Sequence, residues 1–226
     1  GLVAFVPQFQ FIGAIINPNA FEAALSTASL WLLIKIAKAD ILRSVQAVLA
    51  SILVGLMLLT SYAGVALLPL LLFVTLSRKS TSGERLRILL LCASVVLLIA
   101  GWWYVRNLWL YGDPLAWTVV ERSQARQNLS LLSYAFINEF PMMLLSSFWA
   151  KFSWLMFSPF FLTQLLFYAI ISVGLSGIVL DIPRVWPSFT RTQKMQLAIL
   201  AGYFLMILMG AIHFAQSFNW PQGRYL

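Results

Sequence analysis

Charge is scarce in this sequence. Only 10% of its 226 residues are Asp, Glu, Lys or Arg, against roughly 25% in a soluble domain. That shortfall excludes a water-soluble core, and a mean hydropathy of +0.87 agrees. Cysteine is scarcer still. Cys92 stands alone inside an apolar run, so no disulfide within the chain and no cysteine-based metal site can form. His213 also stands alone, which removes paired histidines as metal ligands. A basic leader followed by a cleavage site is missing at the start, so residues from Gly1 onward do not read as a signal peptide. An initiator methionine is missing too, and the chain stops at Gln222-Gly223-Arg224-Tyr225-Leu226 as if in mid-motif. Together these lead us to expect an internal piece of a longer protein.

What is present is apolar and leucine-rich. Segments such as Leu67–Leu72 and Ile88–Ile99 do not alternate in polarity, as strands of a membrane barrel would. Runs of about 17–20 apolar residues are long enough to cross a bilayer as helices. The expected fold is all-α, a polytopic membrane helical bundle in one domain over 1–226. We expect about six transmembrane helices, with interfacial helices on the outer face. The spans read as Ala20–Ile36, two short ones within 45–76, Ile88–Tyr104, Phe161–Leu180 and Met195–Phe214. The pair within 45–76 is inferred from Gly64, Pro69 and a length beyond one crossing. The aromatic-rich stretch 129–160 suits helices lying in the interface.

The formal charge of +8 invites a nucleic-acid reading. It is rejected, because the basic residues are spread over short connections, where they set membrane orientation. With six spans, ten of the fifteen fall in one set of loops: Lys35, Lys38, Arg43, Arg78, Lys79, Arg85, Arg87, Arg184, Arg191 and Lys194. That set should be cytoplasmic. The segment 105–160 and the C-terminal residues then share the outer face.

The stretch Gly101–Trp117 gathers most of the candidate chemistry. Trp102, Trp103 and Tyr104 suit the depth where hydrocarbon meets water. Arg106 and Asn107 follow at the same level. A guanidinium there can fork onto a phosphate or snorkel to headgroups as an ordinary anchor. Arg224, beside Gly223, is the second candidate phosphate ligand, with Gln222 and Tyr225 around it. Asp113 either faces an acceptor or caps the Gly112-Asp113-Pro114 turn. Glu121 and Glu139 are acceptor-side candidates or solvated acids. His213 reads as structural.

These segments carry a resemblance. Trp102-Trp103-Tyr104-Val105-Arg106-Asn107 with Tyr111-Gly112-Asp113-Pro114 resembles bacterial multispan proteins of the C-type (GT-C) membrane glycosyltransferase superfamily. Asn17-Pro18-Asn19-Ala20, Gly55–Tyr62, Ser147–Phe152 and Gln222-Gly223-Arg224-Tyr225 are similar to other parts of it, with Ser61 where the family often has Lys. The resemblance implies transfer of a sugar from a polyprenyl-phosphate carrier to a glycan, lipid or protein acceptor at the outer face of a bacterial plasma membrane. It implies a catalytic acid upstream of Gly1, which leaves no catalytic residue to name here. No cofactor is expected, and nothing in the sequence supports a divalent cation. The rival readings are a transporter or flippase-like carrier, disfavoured by the lack of an internal repeat, and a non-catalytic membrane subunit.

Overall fold

The computed structural model describes residues 6–14, 18–39, 43–78, 80–123, 129–150 and 161–217, and all secondary structure among them is helical. A short α1 (Pro7–Ala14) precedes α2 (Pro18–Lys38). Next come α3 (Ser44–Thr60), a tight 3-10 turn (Tyr62–Ala66) and α4 (Leu67–Leu76). The following helix is continuous: α5 (Ser82–Val96) passes through a π-helical turn (Leu97–Gly101) into α6 (Trp102–Tyr111). Then come α7 (Trp117–Ser123), α8 (Tyr134–Ala150), α9 (Phe161–Val185) and α10 (Arg191–Ser217).

Local chemistry explains several boundaries. Thr81 caps α5, its hydroxyl accepting from the Glu84 N–H at 3.3 Å. Thr190 and Gln193 cap α10 reciprocally, each side chain accepting the other residue's N–H, at 3.2 and 2.8 Å. Ser61 is extended (φ −156°, ψ 151°), and this breaks α3 from the 3-10 turn. Hydroxyls inside the apolar helices bond their own backbone. Ser29 donates to the Leu25 carbonyl, Ser51 to Ala47 and Thr75 to Leu71, at 2.7–2.8 Å. A hydroxyl without that option would be costly where no water reaches.

Among the described residues four helical stretches are long and apolar enough to cross a membrane: Pro18–Lys38, Ser82–Tyr111, Leu165–Ser188 and Arg191–Ser217. The expected count was about six. The other two stretches, Ser44–Thr60 and Tyr62–Leu76, are apolar but shorter. The reason is local: the Ser61 break takes residues from both.

Contacts fix how the helices run. Ser61, at the end of α3, meets Glu22, near the start of α2, so these two helices are antiparallel. Arg78, after α4, donates to the carbonyl of Ala39, after α2, so α4 returns alongside α2. The α5–α6 helix runs parallel to α3 at a nearly constant offset. Cys92 lies against Ala47, Ile99 against Gly55 and Tyr104 against Leu58. Helix α10 starts beside Arg78, through Met195, and passes Leu70 at Gly202.

The core lies among α2, α3, α4, α5 and α10, with Leu33, Met57, Leu67 and Ile199 fully buried. Small residues make it tight. Ala47, Ala50 and Gly55 on α3 let backbones approach, which is how helices associate where lipid removes a hydrophobic drive. A second cluster sets Phe136, Phe140 and Leu144 of α8 against Ala215 of α10. Helix α9 is different: none of its apolar window is buried in the protein.

One end of this bundle therefore holds Ala39, Arg78 and Met195. The other holds Glu22, Ser61 and the turn after α6. Between Arg87 and Arg106 the helix carries no charged residue over its intervening stretch. At about 1.5 Å per residue those arginines stand ~28 Å apart, close to the roughly 30 Å of a hydrocarbon core.

Candidate functional site

The site begins with how α6 ends. Gly112 is left-handed (φ 71°), and its N–H bonds the Leu108 carbonyl at 2.9 Å. That conformation is open to glycine without a Cβ penalty, so the chain leaves the helix sharply here. Asp113 then organises the turn. One carboxylate oxygen accepts from the Leu115 N–H at 3.0 Å, and the other from the N–H groups of Trp117 and Thr118. The side chain thereby caps α7. Ala116 is held at positive φ (52°) inside the same turn.

Asn107 ties the turn to the helix. It is 3% exposed, the most buried residue of α6. Its amide donates to the Pro114 carbonyl at 3.3 Å, and its oxygen accepts from Arg106 Nη1 at 3.4 Å. Arg106 itself is exposed, with its guanidinium carbon 5.0 Å from the Trp103 ring centre. One amide and one indole thus hold the guanidinium in place. Among the described residues no carboxylate lies within ion-pair distance of it.

Two tyrosines close the neighbourhood. Tyr62 donates to the Leu115 carbonyl at 2.7 Å. Tyr104 donates to the Leu58 carbonyl at 3.0 Å, satisfying one of the last carbonyls of α3. A cleft of about 280 Å³ lies between, lined by Thr60, Tyr62, Trp103, Tyr104, Arg106 and Tyr111 among others. It combines one guanidinium, three phenol rings and an indole. That set suits an anion joined to a ring with hydroxyls.

Comparison with protein-family models, curated proteins and solved structures finds no match. The site is therefore read from its own chemistry.

The structure unites Arg106, Asn107 and the turn of Asp113. The Asp113 carboxylate accepts from three backbone N–H groups of its own turn. Glu121 is half-buried on α7. Glu139 is exposed on α8, the helix of the second cluster. Gln222, Arg224 and Tyr225 lie outside the described residues, as does any meeting of Arg224 with Arg106. Among the described residues no three His, Cys, Asp or Glu side chains cluster to hold a metal.

Sequence reasoning passed over Glu22. Its carboxylate accepts from Ser61 Oγ at 2.9 Å and lines a second, larger groove of about 650 Å³. The groove also touches Tyr62, so the two hollows are neighbours across the 3-10 turn. Nothing local signals this. Glu22 looks like an acid near a helix start, and its partner is 39 residues away.

Proposed function

We propose that this chain is the outer-face, lipid-phosphate-binding part of a membrane glycosyltransferase of the GT-C kind, in a bacterial plasma membrane. The observation that carries the reading is the cleft at the end of α6. An exposed guanidinium, with no carboxylate partner among the described residues, stacks on an indole there, braced by a buried amide, in a hollow walled by tyrosines. The phosphate of a polyprenyl-linked sugar would be met by Arg106. The sugar would lie against the aromatic walls, and the isoprenoid would leave through lipid.

In this reading Arg106 acts on the leaving group. As the bond from the sugar's anomeric carbon to the phosphate oxygen breaks, negative charge grows on that oxygen, and a fixed cation beside it lowers the barrier. Asn107 positions Arg106 and takes no part in bond making. The acceptor, an alcohol or amine of a glycan, lipid or protein, forms the new bond to the anomeric carbon, and its proton leaves with the released polyprenyl phosphate. Arg224, Gln222 and Tyr225 remain proposed partners in holding the donor, with Glu121 and Glu139 as proposed acceptor-side groups.

The test is transfer of labelled sugar from a polyprenyl-phosphate donor by membranes carrying the protein. Arg106→Ala is expected to cost about a hundredfold in turnover. Arg106→Lys should recover part of it, because charge returns without the fork. Undiminished transfer by Arg106→Ala in correctly folded protein would end the assignment. A second reading, a non-catalytic membrane subunit, draws support from α9, whose unburied apolar surface suits another protein as well as lipid.

A further inference from the structure

The groove beside the cleft has a composition that the sugar-phosphate reading does not use. It runs between the 3-10 turn and α10. Val65, Pro69, Met206 and Met209 give it apolar walls. Glu22 enters these walls as a carboxylate, and among the described residues one hydrogen-bond donor meets it, the Ser61 hydroxyl at 2.9 Å. An ionised carboxylate has about four acceptor positions, so most remain unfilled. The described residues bring no cationic nitrogen within ion-pair distance of it.

At the same groove stand four rings. Trp117 stacks on His213 with centres 5.8 Å apart and meets Tyr62 and Phe214 edge-on at 6.2 and 6.3 Å. All four residues line the groove. A carboxylate costs free energy facing an apolar wall unless it is neutralised or paired. Aromatic faces attract cations and repel anions. Carboxylate and rings therefore select for the same sign of charge, and the apolar walls select for a ligand with a hydrocarbon body.

We propose that this groove binds an amphiphile bearing an ammonium head. Glu22 is the counter-ion, the rings of Tyr62 and Trp117 form the cage, and the alkyl body lies along Val65, Pro69 and Met206. Its charge preference is opposite to that of the Arg106 cleft. The two hollows flank Tyr62, so this end of the bundle carries separate seats for an anion and a cation.

The test is equilibrium dialysis of the whole chain in maltoside micelles, which carry no charge. The probes are hexyltrimethylammonium, hexylammonium and hexanol, which share one alkyl body. At least one ammonium should bind about tenfold more tightly than hexanol. Comparing the two ammonium probes separates a methylated head from a primary amine. Glu22→Gln should erase the preference while leaving hexanol binding unchanged, and Trp117→Leu should reduce it. Arg106→Ala should leave it intact, so the cation site stands or falls apart from the phosphate site. Equal binding of ammonium and alcohol by the unaltered protein would overturn the proposal, even if Glu22→Gln does not fold. So would a folded Glu22→Gln variant with the preference unchanged.

Discussion

Arg106 and Asn107 are neighbours in sequence with opposite surroundings. One is exposed over an indole, and the other is 3% exposed with both ends of its amide engaged. Removing the amide would break its bond to the Pro114 carbonyl and leave the guanidinium held by the Trp103 indole alone. Asn107→Ala is therefore expected to cost about 1–3 kcal/mol of stability, read by thermal melting in micelles. Asp113 invites a sharper comparison. Its oxygens serve as acceptors for backbone N–H groups, and an asparagine oxygen can still accept one or two. Asp113→Asn should melt within about 0.5 kcal/mol of the parent, and Asp113→Ala should lose about 1–2 kcal/mol. If Asp113→Asn kept its melting point but lost sugar transfer, the carboxylate would be acting on a ligand and its capping role would be secondary.

Among the elements, the hairpin of α3, the 3-10 turn and α4 depends on one glycine. A Cβ on Gly64 would stand 2.6 Å from the Leu58 nitrogen and 2.7 Å from the Met57 carbonyl carbon, both backbone atoms that cannot rotate away. Gly64→Ala should therefore destabilise by about 1–3 kcal/mol, whereas Gly174→Ala on α9, with nothing within 4 Å, should be neutral or slightly stabilising. Denaturant or thermal melts of the two variants side by side check the contrast. This hairpin also marks how far the sequence could be read. Gly64 and Pro69 signalled a break in the apolar run 45–76, because both are poor formers of a helix interior. The spans from α2, α5, α9 and α10 were legible from apolar length alone. The helical continuation through Arg106 to Tyr111 was less so, because Trp, Tyr, Arg and Asn suit an interface whether or not the backbone stays helical. The Glu22–Ser61 pair was invisible, since only the antiparallel packing of α2 on α3 brings it together.

At the scale of the whole molecule, the two ends differ in charge. Lys38, Arg78, Arg85 and Lys194 lie at or near the end marked by Ala39 and Met195, whereas Arg106, Asp113 and His213 lie at or near the opposite end. An excess of Lys and Arg on one side orients a membrane protein with that side in the cytoplasm. The prediction is specific to the hairpin. If residues 45–76 crossed as one helix, Ser44 and Ser82 would be on opposite sides of the membrane. With α4 folding back along α2, they share a side. Cys92 is the sole cysteine and is buried, so Cys92→Ser gives a background that a thiol reagent cannot label. In that background, Ser44→Cys, Ser82→Cys and Ser188→Cys should react with a membrane-impermeant maleimide only after the cells are permeabilised. Ser130→Cys, next to the Leu129 N–H that bonds the Gln216 carbonyl at 3.1 Å, should react in intact cells. Labelling of Ser44→Cys but not Ser82→Cys from outside would replace the hairpin by a single crossing. Labelling of the first three but not Ser130→Cys would turn the molecule over and carry the Arg106 cleft to the cytoplasm, where an outer-face transferase could not use it.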